Sequence, residues 1–326
     1  MRQAGRYMAE YRALKEQHSF LELCKTPELA LRVSLLPLEL LEVDAIILFS
    51  DILIPVEAMG LRIDFAPGPI VKNPIATPRD VEALEIDAIE DRVGFVFETL
   101  RELRNVLKTR ERGDQALIGF AGSPWTLACY TTSQQMFKHF EGTLIFAKRE
   151  PAAMELFLGK LTQVVSDYVC AQIESGAQVI QLFDTWAGNL SAEDYRRWAL
   201  PFTKQIIARI SERGCPSILY VNNCSHLLGS MIETGATCLS VDQRVSLASV
   251  SAAFPDTVVQ GNLDPAQLFS PTETVSRSTR EMIKRWPKRS GYIVNLGHGV
   301  LPTTPIENVR AFIRTARDGW ADETGC

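Results

Sequence analysis

Arg2, Arg6, Arg12 and Lys15 crowd the start of the chain, with Gly5 between the first two and the acids Glu10 and Glu16 among the rest. Two guanidiniums on either side of a glycine, which permits a tight turn, can reach separate carboxylates through planar, bidentate hydrogen bonds. The plainer reading of such a cluster is a solvated helix face, since most charges are simply surface. Asp51 follows the apolar run Ala45–Ser50. A carboxylate there offers about four acceptor sites and can gather several N–H donors, or it can cap the segment that follows. His298 lies between Gly297 and Gly299, where the backbone can approach a ligand closely. Tyr130 and Thr185 can each present a hydroxyl, although half-buried packing and an ordinary turn explain them equally well. Cys224 and His226 lie close together and Cys238 follows further on. A zinc site needs three or four ligands at supportive spacings, so no metal is expected there.

These groups need a frame, and seven short apolar runs supply one. They are Ala45–Ser50, Ala116–Ala121, Val179–Phe183, Ser217–Val221, Thr237–Val241, Thr257–Gln260 and Tyr292–Asn295. Helix-like segments lie between them, among others Pro27–Leu41, Asp80–Arg110, Pro151–Ser175, Ala192–Arg213 and Thr272–Arg285. Strand after helix, repeated, predicts a parallel sheet, either doubly wound or closed into a barrel. The first run is not followed by a glycine-rich dinucleotide loop, which argues against a Rossmann domain. Each run ends in polar residues or glycines, as a (β/α)8 barrel requires where its strands converge on an active site. The expectation is one α/β domain over residues 1–326, a single TIM-type barrel. The count falls one short of eight, so the first strand is expected to be missing ahead of Met1.

Composition narrows the partners. With 326 residues, 46% hydrophobic and 22% charged, the chain can bury a large core. A net charge of −5 argues against a general nucleic-acid or anionic-membrane surface, so an anionic ligand must meet locally clustered Arg and Lys. Seven cysteines without paired short spacings suit reduced thiols and a cytoplasmic location. No apolar stretch is long enough to insert in a membrane.

Met1–Tyr7, Phe49–Leu53, Gly119–Leu127, Gln181–Gly188, Gln260–Pro265 and Asn295–Gly299, taken in order, resemble the uroporphyrinogen decarboxylase family from end to end. Met-Arg-Gln-Ala-Gly-Arg-Tyr is the most specific of these segments. The resemblance implies a carboxy-lyase that removes the four acetate carboxyl groups of uroporphyrinogen III to give coproporphyrinogen III in haem biosynthesis. It implies no metal and no organic cofactor, since a protonated pyrrole ring can itself serve as the electron sink. It also implies a homodimer. Arg2 and Arg6 would bind substrate carboxylates, and with Asp51, which would bind the pyrrole N–H groups, they form the expected catalytic set. Gln3, Ala4, Tyr130, Phe183, Thr185 and His298 would complete the substrate site. Thr185 stands where relatives often have Ser, Trp186 where some have His, and Asn222–Ser225 where the loop is often glycine-rich. Two rivals remain: a zinc-dependent corrinoid or thiol methyltransferase on a related barrel, and a tetrapyrrole carrier without turnover.

Overall fold

The computed structural model describes residues 3–65, 68–87, 89–110, 114–132, 141–288 and 290–321. Each predicted run becomes a strand, because β-branched and aromatic residues bounded by turn formers favour extended backbone. In chain order the strands are β1 (Ala45–Ile47), β2 (Ile63–Asp64), β3 (Ile70–Val71), β4 (Ala116–Gly122), β5 (Val179–Phe183), β6 (Ser217–Tyr220), β7 (Cys238–Ser240), β8 (Val258–Leu263) and β9 (Tyr292–Leu296). Seven of them form one sheet in the order β1-β4-β5-β6-β7-β8-β9. Every pairing in it is parallel. The sheet curls into a half-barrel with helices packed outside it. β2 and β3 make a separate antiparallel hairpin that sequence reading missed, each being only two residues long.

The boundaries shift where tertiary contacts outbid the local pattern. β1 stops early because the Phe49 amide turns out of the sheet to donate to the Ser34 hydroxyl at 2.8 Å. The helix expected over Asp80–Arg110 is three pieces, Pro78–Glu82, Ile89–Arg92 and Gly94–Thr109. Within the first gap the Glu85 amide bonds the Met59 carbonyl at 3.1 Å instead of a helical partner. The segment Ala192–Arg213 divides into Ala192–Trp198 and Leu200–Ser211. Pro201 opens the second helix, having no N–H to continue the first.

Side chains alternate across each strand, so Val179, Gln181 and Phe183 of β5 face the sheet's concave side. Ile180 and Leu182 are fully buried against the outer helices. As the seven apolar runs predict, the sheet has seven strands, and it has two edges, β1 and β9. The curl of the sheet encloses a cavity of about 620 Å³, lined by residues of all seven strands, from Ala45 and Ile47 of β1 to Ile293 and Val294 of β9, and by Phe312 and Ile313 of the helix Ile306–Ala321. The Gln3 side chain sits at its margin. Its Nε2 donates to the Ala45 carbonyl at 2.8 Å and its Oε1 accepts from the Ile47 amide at 3.0 Å, as a neighbouring strand would.

Candidate active site

Because the strands are parallel, their C-terminal ends form one rim. Asp51 stands just past β1 and is half-buried. Its Oδ1 accepts the Leu53 amide at 2.9 Å and closes the turn after β1, whereas the cap position of the helix Ile54–Ala58 falls to Leu53 and not to Asp51. That bond uses one of the carboxylate's several acceptor sites. Arg6 is exposed, in the turn closed by the Met8 amide on the Gly5 carbonyl at 3.0 Å. The Arg12 guanidinium holds that turn by donating to the Arg6 carbonyl at 2.8 Å. Tyr7 ties it down further, its hydroxyl donating to the Gln3 carbonyl at 2.5 Å. Arg2 lies outside the described residues. Ala4 packs against the core. The Gln3 amide is committed to the β1 backbone, away from the rim.

The remaining candidates come together along the curve of the sheet. Phe120 and Phe183 meet edge to face with ring centroids 5.8 Å apart. Phe183 meets Tyr220 at 6.0 Å, and Tyr220 meets His298 at 6.1 Å. Four rings on β4, β5, β6 and the loop after β9 thus form a continuous aromatic run. Tyr220 was not anticipated, although its alternation with Ile218 on β6 placed it on the concave face. Its hydroxyl donates to the Gly297 carbonyl at 3.2 Å and so fixes the loop that carries His298. His298 is exposed, and its Nδ1 accepts the Gly299 amide at 2.7 Å. Gly297 has a packing reason for being glycine, since a Cβ there would lie 2.4 Å from the Gln243 amide nitrogen. That close approach is to the loop after β7.

Thr185 is half-buried between two residues that anchor it. Asp184 has no exposed surface, and its Oδ1 accepts from the Thr126 hydroxyl at 2.8 Å. The same hydroxyl accepts the Trp186 amide at 3.1 Å. Burial raises the Asp184 carboxyl from 3.8 to about 7, with the Thr126 hydrogen bond opposing it. Tyr130 follows one turn after Thr126 on the helix Pro124–Thr132, and its ring meets that of Trp186 at 6.2 Å. Gly188 lets this loop pack on the next one, since a Cβ there would fall 1.7 Å from the Asn222 carbonyl oxygen. Asn223, where a glycine-rich loop was considered, adopts φ +58°, a left-handed conformation that Asn tolerates.

Among the described residues no three His, Cys, Asp or Glu side chains converge to hold a metal ion. The His226 ring instead bonds the Leu190 carbonyl at 2.9 Å, and Cys224 is buried. No helix among those residues is long and apolar enough to cross a membrane.

The family model for uroporphyrinogen decarboxylase matches residues 1–319. A uroporphyrinogen decarboxylase from Citrifermentans bemidjiense is 42% identical over 307 residues, which is 94% of this chain and 89% of the relative. Another, from Pelobacter propionicus, is 43% identical over 316 residues, covering 96% and 92%. Among solved structures, a methyltransferase from Methanosarcina mazei superimposes with a TM-score of 0.78 at 22% identity, covering 90% of this chain and 86% of that one. At that identity the likeness speaks for the fold alone.

Proposed function

The chain belongs to the uroporphyrinogen decarboxylase family, and from that premise we propose how its rim removes carboxyl groups from uroporphyrinogen. It is a carboxy-lyase of tetrapyrrole biosynthesis, acting on the four acetate arms of uroporphyrinogen III to give coproporphyrinogen III. The single observation that carries the reading at this site is the aromatic run Phe120–Phe183–Tyr220–His298 at the rim past which Asp51 stands. An aromatic surface suits the faces of pyrrole rings. Asp51, as an acceptor, suits their N–H groups. Arg2 and Arg6 bind the substrate's carboxylates, and Thr185, Tyr130 and His298 supply further polar contacts, with Gln3 and Ala4 leading into the turn that carries Arg6. Protonation of a pyrrole ring turns it into the electron sink for the pair left behind when the acetate C–C bond breaks and CO2 departs. Asp51 stabilises the cationic ring as it forms, an interaction stronger in the transition state than in the ground state.

An eighth strand set between the β1 and β9 edges would close the barrel. Support comes from the Gln3 amide, which already makes the hydrogen bonds to Ala45 and Ile47 that such a strand would make. The protein acts as a homodimer in the cytoplasm, in keeping with six described cysteines that are all free and buried. The deciding experiment is CO2 release from uroporphyrinogen by the purified chain, with the product identified as coproporphyrinogen. Tight binding without CO2 release would favour the carrier reading. Turnover lost on chelation and restored by zinc would favour the methyltransferase-like chemistry.

A further inference from the structure

A fully buried carboxyl beside a candidate substrate site is expensive, because nothing in an apolar interior replaces the water it gives up. Asp184 is such a group. Its Oδ2 is buried and, among the described residues, has no hydrogen-bond partner. Among the described residues its side-chain partner is Thr126, fifty-eight residues earlier in the chain. Thr126 is itself fully buried. Its hydroxyl both donates to Asp184 and accepts from the Trp186 amide, closing a small ring across two segments whose backbones are also joined where the Ser123 amide donates to the Phe183 carbonyl at 2.9 Å. One of those segments carries Phe183 and Thr185. The other carries Tyr130, which at four residues past Thr126 lies on the same face of its helix.

We propose that Asp184 is a positioning residue for the decarboxylation: through the Thr126 hydroxyl it locks the chain leaving β5 to the helix bearing Tyr130, and so sets the spacing of Tyr130, Phe183 and Thr185 around the substrate. The inference rests on the reading of this rim as the active site. The raised carboxyl value fits it, since a neutral Asp184 can keep one oxygen as acceptor for Thr126 without carrying a bare charge into the core. Asp184 touches no reacting atom in this account and acts only by holding others in place. Misplacement of such groups by an ångström can cost roughly a hundredfold in rate.

The test is a set of steady-state measurements of CO2 release with Thr126→Val, Thr126→Ser, Asp184→Ala and the double variant Thr126→Val/Asp184→Ala. Thr126→Val should lower kcat by roughly tenfold or more while KM stays within about twofold, the pattern of lost positioning rather than lost binding. Thr126→Ser should restore kcat to within about twofold, since it returns the hydroxyl. The double variant should lose no more than the worse of the two single ones, because both remove the same link. Full activity in Thr126→Val, failure of Thr126→Ser to rescue, or additive losses in the double variant would each overturn the proposal. A second readout does not need turnover: the near-ultraviolet circular dichroism that disappears in Trp186→Phe reports the Tyr130–Trp186 ring pair. That signal should collapse in Thr126→Val and persist in Thr126→Ser, and its survival in Thr126→Val would overturn the proposal even if the chain released no CO2. Absence of CO2 release from the unmodified protein with the expected spectral pattern would instead count against the activity assigned to the site.

Discussion

At the C-terminal rim of the sheet, polar side chains hold one another, whereas at the opposite end two strand edges face an apolar cavity. On the rim, Thr126 joins Asp184 to Trp186, and Tyr220 clamps the Gly297 carbonyl. Asp242 there accepts the Cys224 amide at 3.1 Å and the Arg244 amide at 2.8 Å. At the other end one flexible Gln3 amide stands in for a strand, and Ile293, on the concave side of β9, remains 42% exposed. The difference teaches that geometry for chemistry and stability of the frame are held by separate residues. Preorganised polar contacts at the rim cost stability when they bury a charge, and closing the far end would return it. Substitutions at the rim should therefore act on turnover or on pH dependence, and substitutions at the edge on unfolding.

The largest expected effect belongs to Asp184. Its carboxyl titrates at about 7 in the folded protein against 3.8 as the reference value, so the native state keeps a proton that the unfolded chain releases between those values. The folded state binds more protons in that window, and stability falls as pH rises through it. The contribution is fully favourable below the lower value and is lost by the upper one, a change on the order of 4 kcal/mol for a group buried this completely. Urea unfolding of the unmodified protein and of Asp184→Asn, at about pH 5 and about pH 8, should show a gap that shifts in favour of the Asn variant at the higher pH. A gap independent of pH would mean that Asp184 is already ionised when folded.

Asp51→Asn comes next. Asn keeps the size and one acceptor oxygen, so substrate binding should change little. It removes the charge that matters most when a pyrrole ring becomes cationic, a loss on the order of 3 kcal/mol or roughly a hundredfold in kcat. Steady-state CO2 release decides it. A large rise in KM with normal kcat would move Asp51 from the chemistry to simple binding.

Much of the frame was legible before any coordinates, because each sheet strand is an apolar run bounded by glycine, proline or polar turn formers. What escaped reading depended on partners distant in sequence. Asp184 looks like a turn residue at a strand end, and only the fold brings the Thr126 hydroxyl to it. Tyr220 sits inside an apolar strand and gains a role only when β5 and β9 are placed beside it. The packing of the Gly297 backbone against Gln243, two strands away in the sheet order, could not be read from the sequence. The Asp80–Arg110 pattern was helical throughout, and the capture of the Glu85 amide by Met59 could not be read from periodicity. Asp51, Thr185 and His298 were singled out as candidates because polar residues at strand ends stand out against the apolar runs they terminate.

Gln3→Ala tests the far end of the comparison. It removes two hydrogen bonds to the β1 backbone, each worth about 1 kcal/mol, so the free energy of unfolding should fall by about 2 kcal/mol. An unchanged denaturation midpoint would show that the β1 edge is held by packing alone.

Arg6→Ala is the smallest expected effect and the sharpest contrast with Asp51. The Arg6 side chain is exposed, and no bond within the protein depends on its guanidinium in the described geometry, its carbonyl alone being used by Arg12. Folding stability should therefore change by no more than about 0.5 kcal/mol, as for other surface substitutions. Its proposed partner is a substrate carboxylate whose charge is the same before and during ring protonation, so its loss weakens the ground state and the transition state alike. A charge-assisted hydrogen bond of about 1.5 kcal/mol corresponds to roughly a tenfold rise in KM with kcat little altered. Screening offers an internal check: KM of the unmodified protein should rise with salt, and that of Arg6→Ala should rise less. A fall in kcat with KM unchanged would place Arg6 beside the proton transfer instead, and would erase the division of labour between the two charges.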